Sequence, residues 1–306
     1  MYLFFAIILI LFITFMVICY FCYAYAFRKD RKRQSSEYEV PRSPYREQAL
    51  KNINALLEEP FEWVEITSRD KLKLKAHYYH FKDGAPVAIM MHGYRSNYCR
   101  DGNGGFKIAK EYGLNILMPD QRAHGKSEGQ AITFGIKERY DCLEWVNYIT
   151  NRFGKDTKIV LIGLSMGAAT VMMASDIVPT QNVKGIIADC GFSSPKEILM
   201  KVSGEMKIPP RLAYFMLKIG ALVYGGFNPD EASPVKSLAK TSLPVLFIHG
   251  EADTFVPCTM SHKCHEACVS PKEIFIVSKA THGMSYYLDT EGYTKTAIAF
   301  LDKILK

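Results

Sequence analysis

The sequence predicts an α/β protein built on a mostly parallel sheet with helices on both faces. Two patterns predict it. From residue 87 onward, short and fully apolar runs alternate with longer helical stretches, as expected of strands buried on both faces and joined by crossover helices. Ahead of them, 63–68 and 72–80 alternate apolar and polar residues and are split by Arg69-Asp70-Lys71, the pattern of an antiparallel hairpin. Ligands on such sheets bind where the strands end. The loops that follow the strands therefore carry the functional reading.

Taken in order, the chain opens on an apolar stretch. Residues 2–27 contain no charged side chain, and about 20 apolar residues suffice to cross about 30 Å of hydrocarbon as a helix. A cleaved signal peptide is the rival, with Ala24-Tyr25-Ala26 as its processing site. Against it stand the uncharged start, a run longer than a normal apolar core, and basic residues directly after the cut. Ile18 before Cys19 argues against a lipoprotein signal. Residues 1–27 thus read as a retained single-pass anchor, and the basic cluster behind it places the catalytic body on the cytoplasmic side. Residues 28–45 read as a basic, proline-broken linker, and 46–306 as the folded domain.

The net charge of +7 does not point to nucleic acid, because 28–33 alone contribute net +4 and the remainder is nearly balanced. A helix is expected over 46–59, where apolar residues recur at helical spacing before Pro60. Strands are expected at 87–91, 115–118, 159–164, 185–188, 245–248 and 273–277, with helices over 136–153 and 293–305. Residues 192–242, opening on Phe192 and closing on Ser242, are longer than a simple crossover and rich in Met, Leu and aromatic residues. They read as a helical cap whose apolar lining selects the substrate.

The strand ends hold the chemistry. Gly163-Leu164-Ser165-Met166-Gly167 joins an apolar strand to a small-residue helix. The two glycines permit close strand–helix crossing around a strained serine. His92-Gly93 follows the 87–91 strand, Asp253 follows 245–248, and His282 follows the last strand. A serine hydroxyl needs an imidazole to take its proton, and that imidazole needs a carboxylate to set its tautomer. Of eight histidines, only His282 follows the last strand ahead of the final helix. Asp189 also closes a strand and is the rival acid to Asp253.

Together these four linked motifs, spanning about 62–306, resemble the α/β-hydrolases of the serine esterase, lipase and peptidase kind. The resemblance implies Ser165 as nucleophile, Asp253 as acid and His282 as base, with the backbone N–H groups of Tyr94 and Met166 as oxyanion hole. It implies no cofactor. The stretch 120–129 is similar to a structural turn of that family, but carries Gln121 and Ala123 where the pattern is richer in arginine and glycine. Cys258, His262, Cys264, His265 and Cys268 do not fit zinc spacings, and Gly102-Asn103-Gly104-Gly105 does not fit a phosphate loop. No metal is expected. The expected function is hydrolysis of an ester or thioester with an apolar acyl group, on a small or lipid-like substrate. A peptidase of the same fold and a non-catalytic membrane-anchored binding protein are the alternatives.

Overall fold

The computed structural model describes residues 1–29 and 44–306; most of the expected linker lies outside the described residues. Eight strands form one sheet. They are β1 (Glu62–Thr67), β2 (Lys73–Tyr79), β3 (Val87–Met91), β4 (Asn115–Pro119), β5 (Ile159–Leu164), β6 (Val183–Asp189), β7 (Val245–Gly250) and β8 (Lys272–Val277), in spatial order β1-β2-β4-β3-β5-β6-β7-β8. Only β2 runs against the others. The hairpin and the parallel block expected from the sequence are both present.

Two apolar layers cover the sheet. On one face, α4 (Glu138–Phe153), α5 (Met166–Ala174), α8 (Pro234–Leu238) and α9 (Thr259–Ala267) supply Trp145, Val171, Leu238 and Cys264. On the other, α2 (Arg46–Leu57), α3 (Tyr98–Tyr112), α10 (Ser285–Leu288) and α11 (Thr290–Leu305) supply Ile53, Phe106, Tyr286 and Phe300. Cys264 and Cys268 belong to the first layer as buried core residues.

Helix α3 carries three glycines, and neighbouring side chains lie close to each. A Cβ on Gly104 would lie 2.6 Å from the Tyr286 ring, one on Gly105 2.5 Å from Met90 Cε, and one on Gly102 2.2 Å from Met118 Cε. The Tyr286 ring leaves Gly104 no room for a side chain, and the helix offsets its glycines' low propensity with an Asn97 cap, whose side chain accepts from Arg100 N, and Gly113 at its left-handed end.

A third apolar cluster lies outside both layers. It joins Tyr23, Ala26 and Phe27 of α1 (Tyr2–Phe27) to Phe134, Phe192, Ile198, Tyr214 and Leu217. The segment 192–242 is helical, with α6 (Pro195–Glu205), α7 (Pro210–Gly220) and a π-helical turn at Ala221–Gly225. Only this part overlies the sheet edge; α8 packs on α5 in the first layer. Arg28 and Lys29, the first two residues of the expected linker, pair with the body. Arg28 bridges Ala131 antiparallel, with Lys29 N donating to Gln130 O at 2.9 Å and Ile132 N to Phe27 O at 2.7 Å. The helix end is sewn into the body.

Candidate active site

Ser165 stands between β5 and α5 at φ 57°, ψ −115°, a left-handed conformation that costs a non-glycine residue energy. Packing enforces it. A Cβ on Gly163 would lie 2.3 Å from Gly167 O, and one on Gly167 1.9 Å from Met91 O; only glycine at both places lets α5 cross β5 and β3 so closely. The turn lifts the Ser165 hydroxyl to the carboxyl end of the sheet, where β7 and β8 deliver the other groups.

Ser165 Oγ donates to His282 Nε2 at 2.9 Å, and His282 Nδ1 donates to Asp253 Oδ2 at 2.6 Å. The other Asp253 oxygen accepts from the backbone N–H groups of Phe255 (2.9 Å) and Val256 (2.8 Å). The three residues singled out from the sequence thus form one continuous hydrogen-bond chain. Burial pushes the Asp253 carboxyl upward, but hydrogen bonds from His249 and His282 and the His282 charge outweigh it and hold the group below the usual carboxylate range.

His249 is the residue that sequence reasoning missed. It lies near the end of β7, is fully buried, and its Nε2 lies 3.2 Å from Asp253 Oδ2 and 2.8 Å from Val256 O. Its Nδ1 meets Ser261 Oγ at 2.6 Å. With Nε2 as donor and Nδ1 as acceptor, a neutral ring satisfies all three contacts. The available signal was its place on the β7 end, four residues before the acid.

Asp189, the rival acid, ends β6 and is buried without reaching His282. One of its oxygens accepts from Tyr293 OH at 3.0 Å, and the other has no partner among the described residues. Burial, outweighing nearby His249 and that hydrogen bond, raises its carboxyl to about 6. Among the described residues, the metal-ligating side chains that cluster are Cys190, Asp253 and His282, two of them already in the chain above. The cysteines and histidines of α9 form no such cluster.

The His92-Gly93 loop is built by buried polar contacts. Gly93 N donates to Asp101 Oδ2 at 2.7 Å, while Ser96 Oγ donates to Asp101 Oδ1 at 2.5 Å. Arg95 N donates to His124 Nε2 at 3.0 Å, and Gln121 N to His92 Nε2 at 3.1 Å. The unusual Gln121 therefore serves this loop directly, its side-chain amide also donating to His92 O. Ala123 occupies a left-handed position at φ 61°, a conformation that glycine adopts at lower cost. A Cβ on Gly93 would approach Ser165 Cβ to 3.4 Å, so the loop passes directly beside the serine. Met166 opens α5, where the first N–H groups have no carbonyl within the helix to bond.

Beside the serine lies a cavity of about 700 Å³, walled by Phe134, Ile198, Leu199 and Val202 as well as by Tyr25 and Ala26 of the first helix. Tyr94 OH donates to Ala26 O at 2.7 Å, and Arg95 Nη2 to Tyr25 O at 2.6 Å. The first helix is thus bonded to the loop that passes the serine.

Comparison with known proteins agrees with this architecture. A family profile described as the alpha/beta hydrolase fold matches residues 101–216. This chain is an α/β-hydrolase-fold protein. Among solved structures, an esterase of Pyrococcus furiosus superposes with a TM-score of 0.67 at 22% identity, over 88% of this chain and 97% of that one. Est1E of Butyrivibrio proteoclasticus, solved with ferulic acid bound, gives 0.62 at 20%, over 80% and 99%. In sequence, YqkD of Bacillus subtilis is 30% identical over 199 residues, covering 63% of this chain and 64% of that protein, just under two thirds of its length. The bem46 protein of Schizosaccharomyces pombe is 26% identical over 255 residues, 79% of this chain and 76% of that protein.

Proposed function

We propose that this protein is a membrane-anchored serine hydrolase that cleaves a carboxylic ester or thioester with an apolar acyl group. The observation that carries the reading is the hydrogen-bond chain from Ser165 through His282 to Asp253 beside a largely apolar cavity. In the proposed reaction His282 Nε2 takes the hydroxyl proton as Ser165 Oγ attacks the acyl carbon. The carbonyl oxygen becomes an oxyanion held by the Tyr94 and Met166 N–H groups, each contributing on the order of 3 kcal/mol. Collapse expels the alcohol or thiol, which receives the proton from His282. Water, deprotonated by the same imidazole, then releases the acid and restores Ser165.

The esterases among the structural neighbours favour ester over peptide substrates. Retention of the first helix is favoured by its role in the cavity wall: cleavage after Ala26 would remove Tyr25 and Ala26 and leave Phe27, buried between Phe134 and Phe227, at a new terminus. The cytoplasmic placement rests on the basic cluster alone.

Incubation with a fluorophosphonate probe tests the assignment. The parent protein is expected to label covalently and Ser165→Ala to lose labelling completely; undiminished labelling of the variant would overturn the nucleophile. Graded p-nitrophenyl esters beside aminoacyl anilides then separate esterase from peptidase.

A further inference from the structure

Helix α1 has 26 residues and is about 39 Å long. Only part of it is free. Residues 2–14 are exposed all round, about 20 Å of helix, whereas from Phe15 onward the helix lies against the cap. The Phe15 and Phe215 rings are 6.1 Å apart, those of Tyr20 and Tyr224 5.2 Å, and Tyr224 OH donates to Met16 O at 3.0 Å. Gly220 makes the approach possible, since a Cβ there would lie 2.5 Å from Cys19 O. The bilayer hydrocarbon is about 30 Å thick. The free part of the helix is therefore too short by about 10 Å, and tilting only increases the deficit.

Resting on the membrane-anchor reading above, we propose that the outer face of α7 and the π-helical turn is a lipid-docking surface, immersed in the bilayer beside α1. The cap edge must sink with the helix it covers, to the depth of about 5–10 Å typical of interfacial helices. The surface suits that occupant. Leu212, Phe215 and Val223 are 53%, 52% and 57% exposed, with Leu222 beside them. No acidic residue occurs between Glu205 and Asp230, while Lys207, Arg211 and Lys218 do. Lys218 pairs with Asp230 at 2.7 Å; exposed Lys207 and Arg211 have stems long enough to carry their charges to lipid phosphates. The cavity beside Ser165 is walled by the last turn of the same α1, so sinking the cap edge with α1 brings the cavity toward a bilayer that holds an acyl ester.

The test uses the full chain reconstituted in vesicles of phosphatidylcholine and phosphatidylserine, with flotation confirming that the parent binds. Phe215→Trp is compared with the parent, whose Trp63 and Trp145 lie on β1 and α4 and set the baseline. Phosphatidylcholine brominated in its acyl chains is expected to quench the added fluorescence roughly twofold, as immersion by several ångströms requires. Val223→Trp gives the same reading if the first variant does not fold. An added signal indifferent to brominated lipid in both variants overturns the proposal, whether or not the protein hydrolyses esters. In a second arm, Leu212→Glu with Phe215→Glu is expected to lower hydrolysis of a long-chain ester in vesicles about tenfold, while a short water-soluble ester in detergent is cleaved as by the parent. Equal effects on both substrates overturn the link between immersion and hydrolysis.

Discussion

Asp189 ends β6 and Asp253 follows the neighbouring β7, and the protein shifts their carboxyls in opposite directions. Asp253 accepts from two imidazoles and two backbone amides, which together stabilise its charge. Asp189 receives one phenol hydroxyl and is otherwise desolvated, which raises it to about 6 from an ordinary 3.8. The raised value sets a sign. The folded protein retains this proton while the unfolded chain loses it, so stability falls as pH rises from about 4 to about 6 and stays lower above. Asn at this position is neutral at every pH. Asp189→Asn is therefore expected to be more stable than the parent at pH 7, by up to about 3 kcal/mol, with the difference closing below pH 4. Thermal melts across that range check it. Activity should fall less than tenfold, against a loss on the order of 10⁴ for Asp253→Asn, as for a triad deprived of its tautomer-setting acid. A large loss at 189 with a small one at 253 would reverse the roles.

Among the elements, the β5–α5 corner is the one whose sequence leaves least freedom. Gly167 has no room for a single methyl group, which would meet Met91 O at 1.9 Å. Backbone, unlike a side-chain tip, does not step aside. Gly167→Ala is expected to cost about 3 kcal/mol or more and to displace Ser165; urea titration and probe labelling together measure both effects. Helix α3 is amphipathic and buries Tyr98, Phe106 and Ile108, but its three glycines, which in a sequence signal a turn, mask that pattern. The first helix shows the converse case. Its apolarity was plain, but that the half holding Cys19, Cys22, Tyr20, Tyr23 and Tyr25 packs on α7 through Cys19 and Gly220 was decided by the folded chain.

Across the whole molecule, one buried cation ties three regions. Arg122 donates two bonds of 2.6 Å to Asp141 on α4 and bonds of 2.8 and 3.1 Å to Asp70 in the β1–β2 turn. It leaves the loop whose His124 holds Arg95 beside the site. Asp141 is buried, and burial raises its carboxyl to about 6 even with the arginine present. Arg122→Met would leave that carboxyl desolvated and unpaired, at an expected cost of about 3–5 kcal/mol at pH 7. The cost should shrink toward pH 5, where Asp141 takes up a proton; denaturation at the two pH values reads the difference. An equal loss at both would mean that shape, not charge, governs the position.

Local chemistry was legible in the chain. Apolar runs of strand length marked the sheet, and Ser165, Asp253 and His282 announced themselves because each follows a strand in a loop whose glycines serve a turn. Such signals need only near neighbours. What needed the folded chain were the contacts between residues far apart in sequence: His249 on the acid, Asp101 under the Gly93 loop, and Tyr25 and Ala26 in the cavity wall more than 130 residues ahead of the serine. Periodicity reports which face of an element is buried, but not which partner buries it. The first helix therefore looked like a tether joined to an enzyme, and only packing made it part of the site.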